Sequence, residues 1–129
     1  MAEMTIKKRP KNLDLTTIKL PLPGKVSILH RVSGAGLFLC IPVMLWLFGA
    51  SVGSPESFAA FKAVAGFWLV KAILAGLIWA FVHHFCAGIR FLLLDLHIGI
   101  EKEAARKSAG VVMAVSLPLA AILIWGVLL

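Results

Sequence analysis

The segment from Ala80 to His97, "AFVHHFCAGIRFLLLDLH", sets two adjacent histidines, an arginine and an aspartate among apolar residues. Ionisable groups in such surroundings are costly to desolvate, and those that persist usually bind something or move charge. A neutral imidazole is the cheapest of them to bury and is a ready metal ligand; haem iron is among the metals it serves. Steps of four residues from Ala72 pass through Gly76, Ala80, His84 and Gly88. On a helix these form a drifting stripe of small residues that carries one imidazole. Such a stripe lets helices pack closely, or it makes room for a flat, bulky group held by the imidazole. Spacing alone leaves both readings open. His83 projects about 100° away from His84, so the two cannot face one ligand. Asp95, near three full turns past His84, returns to its face at the membrane surface. His97 is expected at the interface.

A second polar cluster is "SILHR", Ser27 to Arg31. On a helix Ser27 and Arg31 stand at i and i+4 and share a face, with His30 beside them. A hydroxyl, a guanidinium and an imidazole so gathered can hold an oxygenated headgroup. They can also serve as an interfacial anchor, with Arg31 on lipid phosphate.

The elements that position these residues are membrane spans. The chain has 129 residues, 60% of them hydrophobic, and a mean hydropathy of +0.97. Soluble domains run nearer half apolar, and crossing the hydrocarbon takes about 20 helical residues. Three segments satisfy this: residues 32–53, 66–94 and 109–129, with Pro42 and Pro118 inside the first and third. The fold class is therefore all-α and membrane-embedded, with residues 1–31 as an N-terminal segment bearing the Ser27–Arg31 cluster. The connection "SPESFAAF" is short; "IEKEAARK" extends one helix or begins the next. No room is left for a soluble catalytic domain. Cys40 and Cys86 lie in apolar runs and match no CxxC or CxxCH pattern, which argues against an iron–sulfur site, a covalent haem or a disulfide framework. Both are expected to pack as small hydrophobes.

Seven Lys and Arg residues precede Val32, four lie between Arg90 and Lys107, and only Lys62 and Lys71 fall on the other side. The positive-inside rule then places the N-terminus and the second loop in the cytoplasm and the C-terminus in the periplasm. The net charge of +7 reflects this topology, aided by anionic lipid headgroups, and calls for no nucleic-acid partner. The N-terminal "MAEMTIKKRPKNLDL" has neither the h-region of a signal peptide nor the composition of a transit peptide. A bacterial inner-membrane protein, made as it stands, is expected.

The two clusters together resemble the cytochrome b subunit of succinate:quinone oxidoreductase, respiratory complex II. One signature is Arg9–Pro10 followed by "SILHRVS", an S-x-x-H-R-x-[ST] pattern; the other is "HFCAGIRFLLLD", an H-x-x-x-G-I-R pattern ending in aspartate, His84 to Asp95. The resemblance covers the whole chain. This sequence departs from the pattern at Leu94, where an aromatic or methionine is common, at His97, where a small residue is usual, and at "NLDL", which replaces "SPHL". The resemblance implies a membrane anchor for a flavoprotein and an iron–sulfur protein, bundled with a second small anchor subunit. It implies His84 as one axial ligand of a b-type haem shared with that partner, and His30 and Arg31 near the haem propionates. It further implies Ser27 and Arg31 in a ubiquinone site. Succinate oxidation would lie on the flavoprotein. Electrons would pass through iron–sulfur clusters to ubiquinone, which takes two electrons and two protons to become quinol. Ser27 would hydrogen-bond a quinone carbonyl oxygen, and Arg31 would stabilise negative charge developing there.

Two rival readings remain from sequence. One is the anchor of a fumarate reductase that oxidises menaquinol. The other is a non-redox assembly or transport subunit with a structural histidine. A reduced b-type absorbance in the purified complex separates the second, and the quinone used and the reaction direction separate the first. The sequence assigns no role to His83, Asp95 or His97.

Overall fold

The computed structural model describes residues 17–128; Arg9–Pro10 and the "NLDL" stretch lie outside the described residues. These residues form helices α1 (Leu22–Gly53), α2 (Pro55–Gly66), α3 (Trp68–Asp95) and α4 (Lys102–Leu128). α1, α3 and α4 are each long and apolar enough to cross a membrane, which makes this a multi-pass all-α membrane protein.

α1 starts ten residues before the apolar run that identifies the span. Pro21 is its extended N-cap, and a second proline falls in the first turn, where the missing N–H would have no helical partner anyway. The Pro21 carbonyl accepts the first helical bond from Lys25 at 3.1 Å. Ser27, His30 and Arg31 therefore ride on the same rigid helix as the span itself. Pro42 and Pro118 sit inside α1 and α4, a placement that membrane helices tolerate when neighbouring groups satisfy the freed carbonyl.

The short connection is itself a helix. Ser54 breaks α1 with extended backbone and caps α2, with reciprocal bonds from the Ser57 amide to Ser54 Oγ (3.2 Å) and from the Ser54 amide to Ser57 Oγ (2.9 Å). This is a capping box with serine in place of the usual glutamate. Glu56 follows in the first turn; bonds from its own amide and from Ser54 hold its carboxyl below the usual range.

α3 ends in a Schellman motif. The Ile98 amide reaches the Leu93 carbonyl at 3.0 Å, and the His97 amide reaches Leu94 at 2.9 Å. His97 takes φ = 60° and Gly99 φ = 75°. "IEKEAARK" begins the next helix.

α3 and α4 run antiparallel. Arg90 bonds Ser108 and Ala105 near one end, and the Lys71 ammonium donates to the Leu128 carbonyl at 2.9 Å near the other. All three long helices meet at the start of α1, where Val26, Ala87, Ala109 and Val112 form the buried core, flanked by Leu22, Cys86, Phe91 and Met113. Farther along, the side chains of α1 are largely exposed. A groove of about 890 Å³ opens there, lined by residues of α1, α3 and α4.

Candidate functional site

The two polar clusters meet. α1 carries His30 and α3 carries His84, and their rings stack with centroids 4.1 Å apart and planes 6° from parallel. Each imidazole lies against a glycine of the opposite helix. A Cβ added to Gly34 would stand 2.7 Å from His84 Cε1, and one added to Gly88 would stand 3.7 Å from His30 Nε2. Gly88 thus offers ordinary clearance, whereas Gly34 is the only kind of residue that fits without moving the ring. Within this chain the small-residue stripe of α3 is not required by close approach at either glycine: Gly88 has room for a Cβ, and Gly76 has nothing within 4 Å of its would-be Cβ.

The hydrogen bonds around His84 define its tautomer. Nδ1 lies 3.0 Å from the His30 carbonyl and 3.3 Å from Ser33 Oγ. The carbonyl can only accept. The Ser33 hydroxyl spends its proton on that same carbonyl at 3.0 Å, so its oxygen is left to accept as well. Nδ1 therefore carries the hydrogen and shares it between two oxygens. Nε2 keeps its lone pair and is the ring atom available for ligation.

His84 also lines the large groove, among Leu37, Ile41, Met44, Leu74, Leu77 and Phe81. An imidazole with one nitrogen fixed, on the wall of an apolar cleft between helices, is a suitable place for a flat, mostly apolar metal macrocycle. Among the described residues no group of three or more metal-ligating side chains occurs.

Ser27 and Arg31 occupy successive turns of α1, one face of it, with Ser27 half-buried and Arg31 exposed. Asp95 is the last residue of α3 and is exposed, as is His97. His83 points elsewhere: it is fully buried, stacks on Trp79 with centroids 5.6 Å apart, and neither ring nitrogen has a hydrogen-bond partner among the described residues. Cys40 and Cys86 are free thiols, half-buried.

Sequence reasoning gave no role to three residues that the structure brings into use. Ser33 and Gly34 frame the His84 ring; the hint was a small pair directly after "HRV". Arg90 is 6% exposed and fastens α3 to α4 through Nε to Ser108 Oγ at 2.9 Å and through its terminal nitrogen to the Ala105 carbonyl at 3.1 Å. Nothing in the spacing of Arg90 and Ser108 announces that pairing.

Fold and site together define an all-α membrane protein with three helices long enough to span, a histidine on the wall of an apolar interhelical groove, and a polar cluster in the first turns of α1. The family described as succinate dehydrogenase/fumarate reductase transmembrane subunit matches residues 5–123, and the chain belongs to that family. It is 38% identical over 120 residues to the succinate dehydrogenase cytochrome b556 subunit of Paracoccus denitrificans, covering 93% of this chain and 92% of the relative. The subunit of the same name from Coxiella burnetii is 38% identical over 123 residues, covering 92% and 98%. That from Rickettsia felis is 30% identical over 118 residues, covering 92% and 91%.

Proposed function

We propose that this chain is the haem b-binding membrane anchor of a bacterial succinate dehydrogenase and forms part of its ubiquinone site. The observation that carries the reading is His84, with Nδ1 tied to the His30 carbonyl and Nε2 left to ligate beside an apolar groove. The names of its relatives, each a cytochrome b556 subunit of succinate dehydrogenase, support the same reading. His84 would hold the haem iron together with a ligand from a second small anchor subunit, and the haem would supply one-electron redox chemistry there.

The chain's own residues do the rest. His30, stacked on His84, and Arg31, one residue on, would hold the haem propionates. Ser27 donates a hydrogen bond to a quinone carbonyl oxygen. Arg31, one turn farther, stabilises negative charge as the quinone is reduced. Succinate oxidation resides on a flavoprotein, and an iron–sulfur protein passes electrons to the quinone at the membrane surface where α1 begins. Residues 1–31 face the cytoplasm, residues 32–129 form the membrane domain in the inner membrane, and the C-terminus is periplasmic.

The test uses the purified complex at equal flavin content. A dithionite-reduced b-type absorbance is expected, and its absence refutes the haem assignment. Quinone-dependent turnover divided by turnover with an artificial acceptor that bypasses the membrane reports on the quinone site. Ser27→Ala removes one hydrogen bond and should weaken quinone affinity by roughly two- to tenfold. Arg31→Leu removes a charge-assisted donor and should lower the ratio further, by roughly 10- to 100-fold. A wild-type ratio in both variants would make the cluster an interfacial anchor.

A further inference from the structure

We propose that Ser33 and Gly34 are positioning residues that seat the His84 imidazole, fixing both its orientation and its strength as a ligand. The inference rests on His84 being the haem ligand and says what holds it in that role.

The steric part is Gly34. Its would-be Cβ stands 2.7 Å from Cε1, 3.2 Å from Nδ1 and 3.7 Å from Nε2 of His84. Real Cβ atoms do not approach a ring carbon that closely, so an alanine displaces the imidazole or pushes α1 and α3 apart. The ring has little freedom to yield: the His30 carbonyl holds Nδ1 at 3.0 Å, and the His30 ring covers one face at a centroid distance of 4.1 Å.

The electronic part is Ser33, which is 5% exposed. Its hydroxyl donates to the His30 carbonyl, and its oxygen gives Nδ1–H a second acceptor at 3.3 Å. Donation from the distal N–H to an oxygen raises the basicity of a metal-bound imidazole and fixes its tautomer. A more basic axial ligand favours the oxidised iron. Losing one acceptor should therefore raise the reduction potential, and losing the alignment of the ring should raise it more.

The full complex carries the test. Gly34→Ala, Ser33→Ala and Gly36→Ala are compared for haem-to-flavin ratio, haem midpoint potential and low-spin electron paramagnetic resonance signal. Gly36 lies on the same helix, and nothing stands within 4 Å of its would-be Cβ. Gly36→Ala thus controls for adding a methyl to α1. Expected are a lowered haem ratio, or a displaced resonance with a raised midpoint, for Gly34→Ala; a wild-type ratio with a smaller upward shift for Ser33→Ala; and no change for Gly36→Ala. If Gly34→Ala prevents assembly, Ser33→Ala decides. Wild-type midpoint and resonance in Ser33→Ala and in any assembled Gly34→Ala overturn the proposal. His84→Leu on the same complex keeps the two ideas apart: a wild-type haem spectrum there refutes the ligand assignment itself, whereas a lost or altered one leaves only the seat in question.

Discussion

His83 is fully buried, with no hydrogen bond of good geometry to either ring nitrogen among the described residues, whereas His84 is half-buried, holds its Nδ1 hydrogen between two oxygens, and lines the groove. Burial alone would point to His83, whereas the proposed ligand is His84. A ligand must leave one nitrogen accessible to the metal while the other is fixed, and that pattern belongs to His84. His83 instead stacks on Trp79 and fills space. An uncharged imidazole in that setting carries a cost for its unmatched polar atoms, offset by the packing of its ring. The difference follows from about 100° of helical rotation and from what each direction meets: for His84 the His30–Ser33–Gly34 stretch of α1, for His83 the Trp79 ring and the α1 backbone at Val26.

The sharpest way to break the comparison is to remove each imidazole in turn. His84→Leu should abolish the reduced haem absorbance or shift its band, the latter if the partner's ligand retains the group. His83→Leu should keep band position and haem content, with little change in stability, because an apolar side chain of similar size replaces a ring with unmet polar atoms. The reverse result, absorbance lost with His83→Leu and kept with His84→Leu, would mean that the accessible, fixed nitrogen is not the ligand.

Arg90 sharpens the contrast with a smaller effect. It too is buried, on the same side of α3 as His83 and Ala87, but two of its donors are matched by Ser108 and Ala105, and its guanidinium lies 5.3 Å from the Phe91 ring centroid. Arg90→Met keeps the length and apolar stem and removes the bonds that join α3 to α4. A loss of about 2 kcal/mol is expected, and about 1 kcal/mol for Ser108→Ala. Thermal denaturation of the purified complex should rank wild type above Ser108→Ala and Ser108→Ala above Arg90→Met, with the haem band unmoved in both. Equal stability of all three would leave Arg90 without a fastening role.

The three apolar segments and the two polar clusters are legible in the sequence because the bilayer imposes a minimum length and punishes charge, and both constraints act residue by residue; the helices themselves are not so bounded, α1 and α4 beginning at Leu22 and Lys102, before their apolar runs. How the clusters meet is not legible. In water, an amphipathic pattern tells which face of a helix packs inward; α1, α3 and α4 are apolar on nearly every face, so that signal is weak. The stacking of His30 on His84 and the clearance at Gly34 depend on the rotation and depth of one helix against another. Arg90 and Ser108 find each other for the same reason, across a turn that no periodicity measures. α2 was hidden differently: "SPESFAAF" reads only as a short connection, yet Ser54 and Ser57 cap each other and Pro55 suits a first turn, so twelve residues become a helix.

His97 gives the smallest of the expected effects and tests whether every histidine in this region acts through ligation. It is the residue just past the C-cap of α3, in the left-handed conformation that the Schellman motif demands. Glycine is the usual occupant, since a side chain there costs roughly 1–2 kcal/mol in contact with its own backbone. Glycine returns part of that advantage by being more disordered when unfolded. His97→Gly should therefore stabilise the end of α3 by about 1 kcal/mol or less, seen as slower amide exchange at Ile98 and His97 or a slightly higher denaturation midpoint. Haem absorbance and the quinone-to-bypass ratio should stay at wild type, because the exposed His97 ring bonds neither His84 nor the Ser27–Arg31 face. A shift in either would give this histidine a part in the redox site; a loss of stability would mean that its side chain contributes more at the turn than its backbone strain costs.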